Sequence, residues 1–197
     1  HYRDSRTDGM MEALFETVPR DEVYGKTGIQ FMQLNTLYQL FAMTKAKSPA
    51  LASAARLLNM PDLFNFFLTG EKANEFTISS TTQCYNPKQK NWDFEMLKKL
   101  GIPTKIFGEI VAPGTLLGKL RPSLAQEIGY LASVISNAGH DTACAIAAVP
   151  STDDDYIYLS SGTWSLMGVL LDQPIISKES MAADMTNEGG FDGKIRF

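Results

Sequence analysis

Two short stretches of the 197-residue sequence bring together residue types that can do chemistry at a turn: Gly139-His140-Asp141-Thr142 and Ser160-Ser161-Gly162-Thr163. In the first, glycine lets the backbone turn sharply and lets a ligand come close, while Asp141 places a carboxylate that can accept a proton from a hydroxyl. The same aspartate can instead cap the following helix by accepting hydrogen bonds from the amides of Ala143 or Cys144, and taken alone that is the plainer reading. In the second, hydroxyls flank a glycine whose N–H can approach an anion without a Cβ in the way, an arrangement that can hold phosphate. Ser and Gly are also ordinary turn residues, so on its own this stretch reads as a hairpin turn. His140 is either a ligand contact or a hydrogen-bonded turn residue, and a lone histidine supports no metal site.

The surrounding pattern says which elements carry these turns. Tyr130 to Ser136 reads as a buried strand, Asn137 to His140 as a tight turn, and Asp141 to Val149 as a small-residue helix. This strand-turn-helix unit is where open α/β sheets place their ligands. Beyond Pro150, Tyr156 to Leu159 reads as a new strand that turns at Ser160 to Thr163 and returns through Trp164 to Leu171. A domain boundary is expected there, with residues 1–149 on one side and 150–197 on the other. Upstream, Leu34, Leu37, Tyr38 and Phe41 have helical spacing between Thr27 and Lys47, and Ser48-Pro49 separates that helix from one ending at Leu57-Leu58. Pro61-Asp62 starts a third helix, expected to bury Leu63, Phe64, Phe67 and Leu68 before Gly70 ends it. Glu75 to Cys84, rich in Thr, Ser, Ile and Phe, suits extended chain. Asn91-Trp92-Asp93 caps a short helix carrying Phe94, Leu97 and Leu100 and closed by Gly101. Pro103 to Arg121 reads as loop and short strand, Pro122 to Ile128 as a helix, and Trp92 and Trp164 as core residues.

Composition narrows the function classes. With 44% hydrophobic residues the chain can bury a core, and a formal net charge of −4 argues against nucleic acid as a partner. No apolar run is long enough to span a membrane. Cys84 and Cys144 lack the spacing of a metal or redox pair, which suits reduced thiols in a cytoplasm. The acidic run Asp153-Asp154-Asp155 reads as a solvated loop. Tyr2 and Asp4, beside Arg3 and Arg6, form either a polar pocket suited to a sugar or a set of surface ion pairs. A chain that opens at His1 and stops at Phe197 is expected to be a piece of a longer protein. Such a piece would leave sheet edges and apolar surface open, so self-association is expected.

Several motifs occur together in order: Tyr2-Arg3-Asp4-Ser5-Arg6-Thr7, Thr27-Gly28-Ile29-Gln30-Phe31, Pro61 to Gly70, Ala138 to Ala143, Ser160 to Ser165, and Thr186-Asn187-Glu188-Gly189-Gly190. In this the sequence resembles the FGGY carbohydrate kinases along nearly its whole length. The resemblance implies an α/β, RNase H-like (actin-like ATPase) kinase fold, truncated at both ends, whose two domains close over a sugar and Mg-ATP. It implies a catalytic base at Asp141, sugar contacts from His140, Asp141 and Thr142, and an approach to the ATP phosphates by Gly162 and Thr163, with no protein metal ligand. ATP and Mg²⁺ are the implied cofactors and a ketose the implied substrate. L-rhamnulose, converted to its 1-phosphate, leads over xylulose, fuculose and glycerol. The family's first phosphate loop and its adenine site have no counterpart in this sequence, so the chain by itself is expected to be inactive. A non-catalytic actin-like module that binds sugar or nucleotide is the alternative from another class.

Overall fold

The computed structural model describes residues 5–153 and 155–197; Tyr2, Arg3, Asp4 and Asp154, named above, lie outside them. The first half is helical, with α1 (Met10–Phe15), α2 (Arg20–Thr27), α3 (Thr36–Lys45), α4 (Pro49–Ser53) and α5 (Met60–Thr69). The helix expected across Thr27 to Lys47 is confined to α3, because Gly28 takes φ 66° and ends α2, and the next N-cap is Asn35. A left-handed glycine is a common helix stop. The helix after Pro49 also stops early, at Ser53, and the Leu57 amide donates instead to the Ile106 carbonyl at 2.7 Å.

The ends of α5 are as expected, with an Asn59/Asp62 capping box and Gly70 at φ 89°. Its apolar stripe is not buried: Phe64 and Phe67 are 60% and 53% exposed. Helical periodicity reveals an apolar face but not what covers it. The extended chain expected after Gly70 is also corrected. Strand β1 (Asn74–Glu75) is two residues long and runs straight into helix α6 (Phe76–Ser80). Glu75 is the N-cap, and its carboxylate accepts from the amides of Thr77 at 2.8 Å and Ile78 at 3.2 Å. That local acceptor outweighs the weak strand preference of the Thr/Ile-rich sequence.

Strands β2 (Tyr85–Asn86) and β3 (Asn91–Trp92) form a hairpin, and Asp93 caps α7 (Phe94–Lys99) by accepting from the Met96 amide at 2.9 Å. Trp92 lies in the core as expected, 1% exposed, with its indole N–H donating to the Gly108 carbonyl at 2.7 Å. Around it the main cluster gathers Leu14, Leu37, Tyr38, Met96 and Leu97. Strand β4 (Ile110–Val111) pairs in parallel with β1, and β5 (Leu116–Lys119) pairs antiparallel with β6 (Ser133–Ile135) across helix α8 (Pro122–Ile128). The strand ahead of the Asp141 turn is not buried. Tyr130, Leu131 and Ile135 are exposed, because β6 has a single neighbour among the described residues.

Helix α9 (Asp141–Ala147) packs on β7 (Tyr158–Ser161), which turns back into β8 (Ser165–Gly168) with Ser161 opposite Ser165. Trp164 sits at that turn and is 52% exposed, so the core position expected for it is wrong. The last strands, β9 (Leu170–Leu171), β10 (Glu188–Gly189) and β11 (Ile195–Arg196), form one antiparallel sheet with β11 in the middle, and α10 (Lys178–Ala182) lies between β9 and β10 in sequence.

The tail folds back onto the first half through one of the motifs singled out above. Asn187 is 2% exposed; its side-chain amide donates to the carbonyls of Gly28 and Ile175, each at 3.0 Å, and accepts from the Ile175 amide at 2.8 Å. Its backbone amide also donates to Gly28, at 2.9 Å, and the Gly189 amide donates to Ser80 Oγ at 2.8 Å. A buried asparagine with its amide satisfied in this way fixes two segments that sequence spacing alone cannot connect.

Candidate functional site

Asp141 is the first residue of α9, and the capping position ahead of it is occupied by His140. The amides of Ala143 and Cys144 donate to the His140 carbonyl at 3.0 and 3.4 Å, so they do not use the Asp141 carboxylate. One Asp141 oxygen accepts from the neighbouring Thr142 amide at 2.7 Å, and the residue is exposed. The carboxylate thus holds one of the opening amides of α9 and stays exposed, so it can also meet a ligand.

What holds the turn is a residue that spacing did not reveal. Glu75, 1% exposed, directs Oε2 at the Gly139 amide at 2.8 Å, while the Thr77 hydroxyl donates to that same oxygen at 2.6 Å. The Thr77 oxygen accepts in turn from the His140 amide at 3.1 Å. A Cβ at Gly139 would meet this carboxylate and Ile78 at 3.0 Å, so glycine is required here by close approach. Glu75 is itself positioned by Asp62, whose Oδ1 accepts from the Glu75 amide at 3.0 Å. Burial raises the Asp62 carboxyl above its ordinary value, opposed by hydrogen bonds from Glu75, Asn59 and Asn74. The Pro61-Asp62 motif thus acts through Glu75 on the turn that presents Asp141.

The other side of the turn is held by the tail. Arg196, 2% exposed, reaches His140 Nδ1 at 2.9 Å and Glu188 Oε2 at 2.8 Å. Burial lowers the His140 pKa below its ordinary 6.5, and Arg196 lowers it further against the pull of Glu188, Asp141 and Glu75. Neither Glu188 nor Arg196 was singled out as a site residue, because their partner lies about fifty residues away in sequence. Thr142, named beside Asp141, is buried, 9% exposed.

At the second turn, Gly162, Thr163 and Trp164 form an exposed tip. The Gly162 amide donates to the Trp164 carbonyl at 2.8 Å and is engaged. The Thr163 amide and hydroxyl have no hydrogen-bond partner among the described residues, and the space where a Gly162 Cβ would stand is open. An open tip with a free N–H and O–H fits a phosphate group through Thr163, with Gly162 contributing room. Among the described residues no group of three His, Cys, Asp or Glu side chains could hold a metal ion. Cys84 is fully buried, and burial pushes its thiol up to about 12, which removes it as a nucleophile at neutral pH. A cavity of about 250 Å³ between α6, β4 and the tail, lined in part by Phe76, Ile110, Asp172 and Ile195, contains none of the site residues.

Comparison with known proteins fits this geometry. A family model described as the N-terminal domain of the FGGY family of carbohydrate kinases matches residues 1–148. A curated protein named rhamnulokinase from Oceanobacillus iheyensis is 44% identical over 196 residues, covering 100% of this chain and 42% of that protein. A second rhamnulokinase, from Bacteroides thetaiotaomicron, is 46% identical over 196 residues, covering 99% of this chain and 40% of that protein. The chain therefore spans about two fifths of the length of these curated relatives. Among solved structures, xylulose kinase from Lactobacillus acidophilus matches with a TM-score of 0.80 at 19% identity, over 98% of this chain and 39% of that one. Xylulose kinase from Rhodospirillum rubrum matches with a TM-score of 0.81 at 16% identity, over the same shares. At these identities the likeness establishes the fold, which is the expected α/β, actin-like ATPase type.

Proposed function

Since the chain belongs to the FGGY family of carbohydrate kinases, we propose that the longer protein it represents transfers the γ-phosphoryl group of ATP to the primary hydroxyl of a ketose, with L-rhamnulose as substrate and its 1-phosphate as product. The observation that carries this reading is the exposed Asp141 carboxylate on a turn pinned from behind by Glu75. The carboxylate orients the sugar hydroxyl and takes its proton as the oxygen bonds to the γ-phosphorus; the bond from that phosphorus to the β,γ-bridging oxygen breaks, ADP leaves with the electron pair, and the proton ends on Asp141. Aspartate suffices because phosphoryl transfer passes through a loose transition state in which positioning counts for more than basicity. His140 and Thr142 contact the sugar beside Asp141, and the Thr163 amide and hydroxyl at the open Gly162 turn hold phosphate oxygens. ATP, when bound, supplies the group that is transferred. Mg²⁺, accompanying the nucleotide, would supply charge stabilisation for the transferred group.

The choice of sugar is supported by the names of the relatives at 44% and 46% identity. The division into 1–149 and 150–197 is supported by the extent of the family match, residues 1–148. On that division, the bonds from Asn187 to Gly28 and from Arg196 to His140 join two domains. A cytoplasmic setting and a place in rhamnose metabolism are supported by the two unpaired cysteines and by the relatives' names. No helix among the described residues is long and apolar enough to cross a membrane.

The test is an ATP-coupled assay of the longer protein across L-rhamnulose, xylulose, fuculose and glycerol, run beside the 197-residue chain alone. L-rhamnulose is expected to give the highest kcat/KM, and the chain alone to turn over none of them. A better rate on another sugar would replace the substrate, and transfer to none would favour a binding module that senses sugar or nucleotide. Self-association of the chain is also expected, through the face where α5 exposes Phe64 and Phe67 and the β5–β6 pair exposes Leu116 and Ile135. Sedimentation should show concentration-dependent dimers or larger species that Phe64→Ser with Phe67→Ser reduces at least tenfold; a monomer at all concentrations would refute it.

A further inference from the structure

The guanidinium of Arg196 makes three contacts around His140. Its Nε donates to the Gly189 carbonyl at 2.9 Å, and Nη2 lies 2.8 Å from Glu188 Oε2 and 2.9 Å from His140 Nδ1. Arginine has donors only and keeps its proton at every accessible pH. The ring nitrogen facing it must therefore accept, and a neutral ring that accepts at Nδ1 carries its proton on Nε2. Nε2 has no hydrogen-bond partner among the described residues. Glu188 Oε2 lies 3.8 Å from Nδ1, too far for a hydrogen bond, and the stronger donor stands between them.

We propose that Arg196 is a positioning residue that acts through His140, holding the imidazole as the Nε2–H tautomer so that it offers a neutral donor, beside Asp141, to an acceptor oxygen of the sugar. The proposal rests on the kinase reading above for the identity of the ligand, and on the geometry alone for the tautomer. It gives a reason for a buried arginine late in the chain. A cationic ring next to Asp141 would compete with the sugar hydroxyl for the carboxylate, whereas a neutral donor leaves that carboxylate free. The charged groups around the ring are Glu188, Arg196, Asp141 and Glu75. Of these, only Arg196 opposes protonation.

The sequence contains two histidines, His1 and His140, so ring ¹⁵N NMR of the chain is interpretable once His140→Gln identifies the signals. In the unchanged protein, His140 should show an unprotonated Nδ1 and titrate below 6.5. Arg196→Met should raise that titration by roughly one unit or more and shift the proton toward Nδ1, now facing Glu188, while Arg196→Lys should give partial rescue. Glu188→Gln, which leaves Arg196 in place, should lower it, and this variant stands in if Arg196→Met does not fold. An unmoved titration and tautomer in either variant would mean that Arg196 only braces the Gly189 carbonyl, and would overturn the proposal. In the longer protein, Arg196→Met should move the acid limb of kcat/KM up and raise the sugar KM, with Arg196→Lys restoring part of both; an unmoved limb and KM would overturn the donor role. Asp141→Asn serves as the separate control. If it keeps full activity, the base assignment at Asp141 fails, and if the unchanged longer protein transfers phosphate to no sugar, the kinase reading fails; in both cases the NMR result on the tautomer stands.

Discussion

Replacing Asp141 with asparagine in the longer protein should lower kcat by about 10²–10⁴-fold, the range that a positioned general base contributes. The sugar KM should change little, since asparagine keeps the size and the acceptor oxygen. The fold should be unaffected for a specific reason. The Thr142 amide that the carboxylate holds at 2.7 Å can be held by the asparagine carbonyl, and the amides of Ala143 and Cys144 go to the His140 carbonyl, so the start of α9 stays bonded when the charge is removed. A residue serving only as a helix cap would keep the rate, and asparagine caps about as well as aspartate, so the rate decides and the unfolding curve shows that the fold is kept. Initial rates and thermal unfolding measured on the same variant separate the two outcomes. A rate within tenfold of the unchanged enzyme would refute the base assignment.

The largest effect on stability is expected at Glu75. Its carboxylate, 1% exposed, accepts from the amides of Thr77, Ile78 and Gly139 and from the Thr77 hydroxyl. Glu75→Ala strands these donors in the interior, where each unsatisfied group costs about 1–3 kcal/mol, so a loss of about 3–5 kcal/mol is expected. For a chain of this size that is roughly a 6–20 °C fall in Tm. Glu75→Gln keeps the shape but can turn an N–H₂ group toward the Gly139 amide, so it should lose less stability yet still release the turn and lower kcat. Denaturation and rate measurements on both variants test this. A Tm within about 2 °C of the unchanged protein for Glu75→Ala would show that the network contributes little.

These two residues mark what a reader of the sequence can and cannot see. Asp141 is legible because its neighbours are local: a glycine before it, small residues after it, and a turn between a strand and a helix. Glu75 is hidden because Phe76 to Gln83 reads by propensity as extended chain, and only the carboxylate's bonds to two amides convert it to a helix. A lone acidic residue opening a Thr/Ser run was the one available signal, that of an N-cap. Arg196 and Glu188 are less visible still, since nothing in their spacing points to a histidine far upstream. The error at Trp164 and on the α5 face has a different origin. Residue type and periodicity identify apolar surface, but its burial depends on neighbours that local pattern does not name.

The lock between Asn187 and Gly28 also has a consequence for how the chain is made. Its two ends are 159 residues apart. At about 5–20 residues per second, the ribosome needs roughly 8–30 s to deliver the asparagine after the glycine has emerged. Until the tail emerges, the Gly28 carbonyl, the Ser80 hydroxyl and the His140 ring each wait for partners that lie there, although α1 to α7 can already pack. The turn that carries Asp141 is therefore secured later than the helical core around Trp92, and protease or chaperone contact during synthesis should concentrate there rather than in that core.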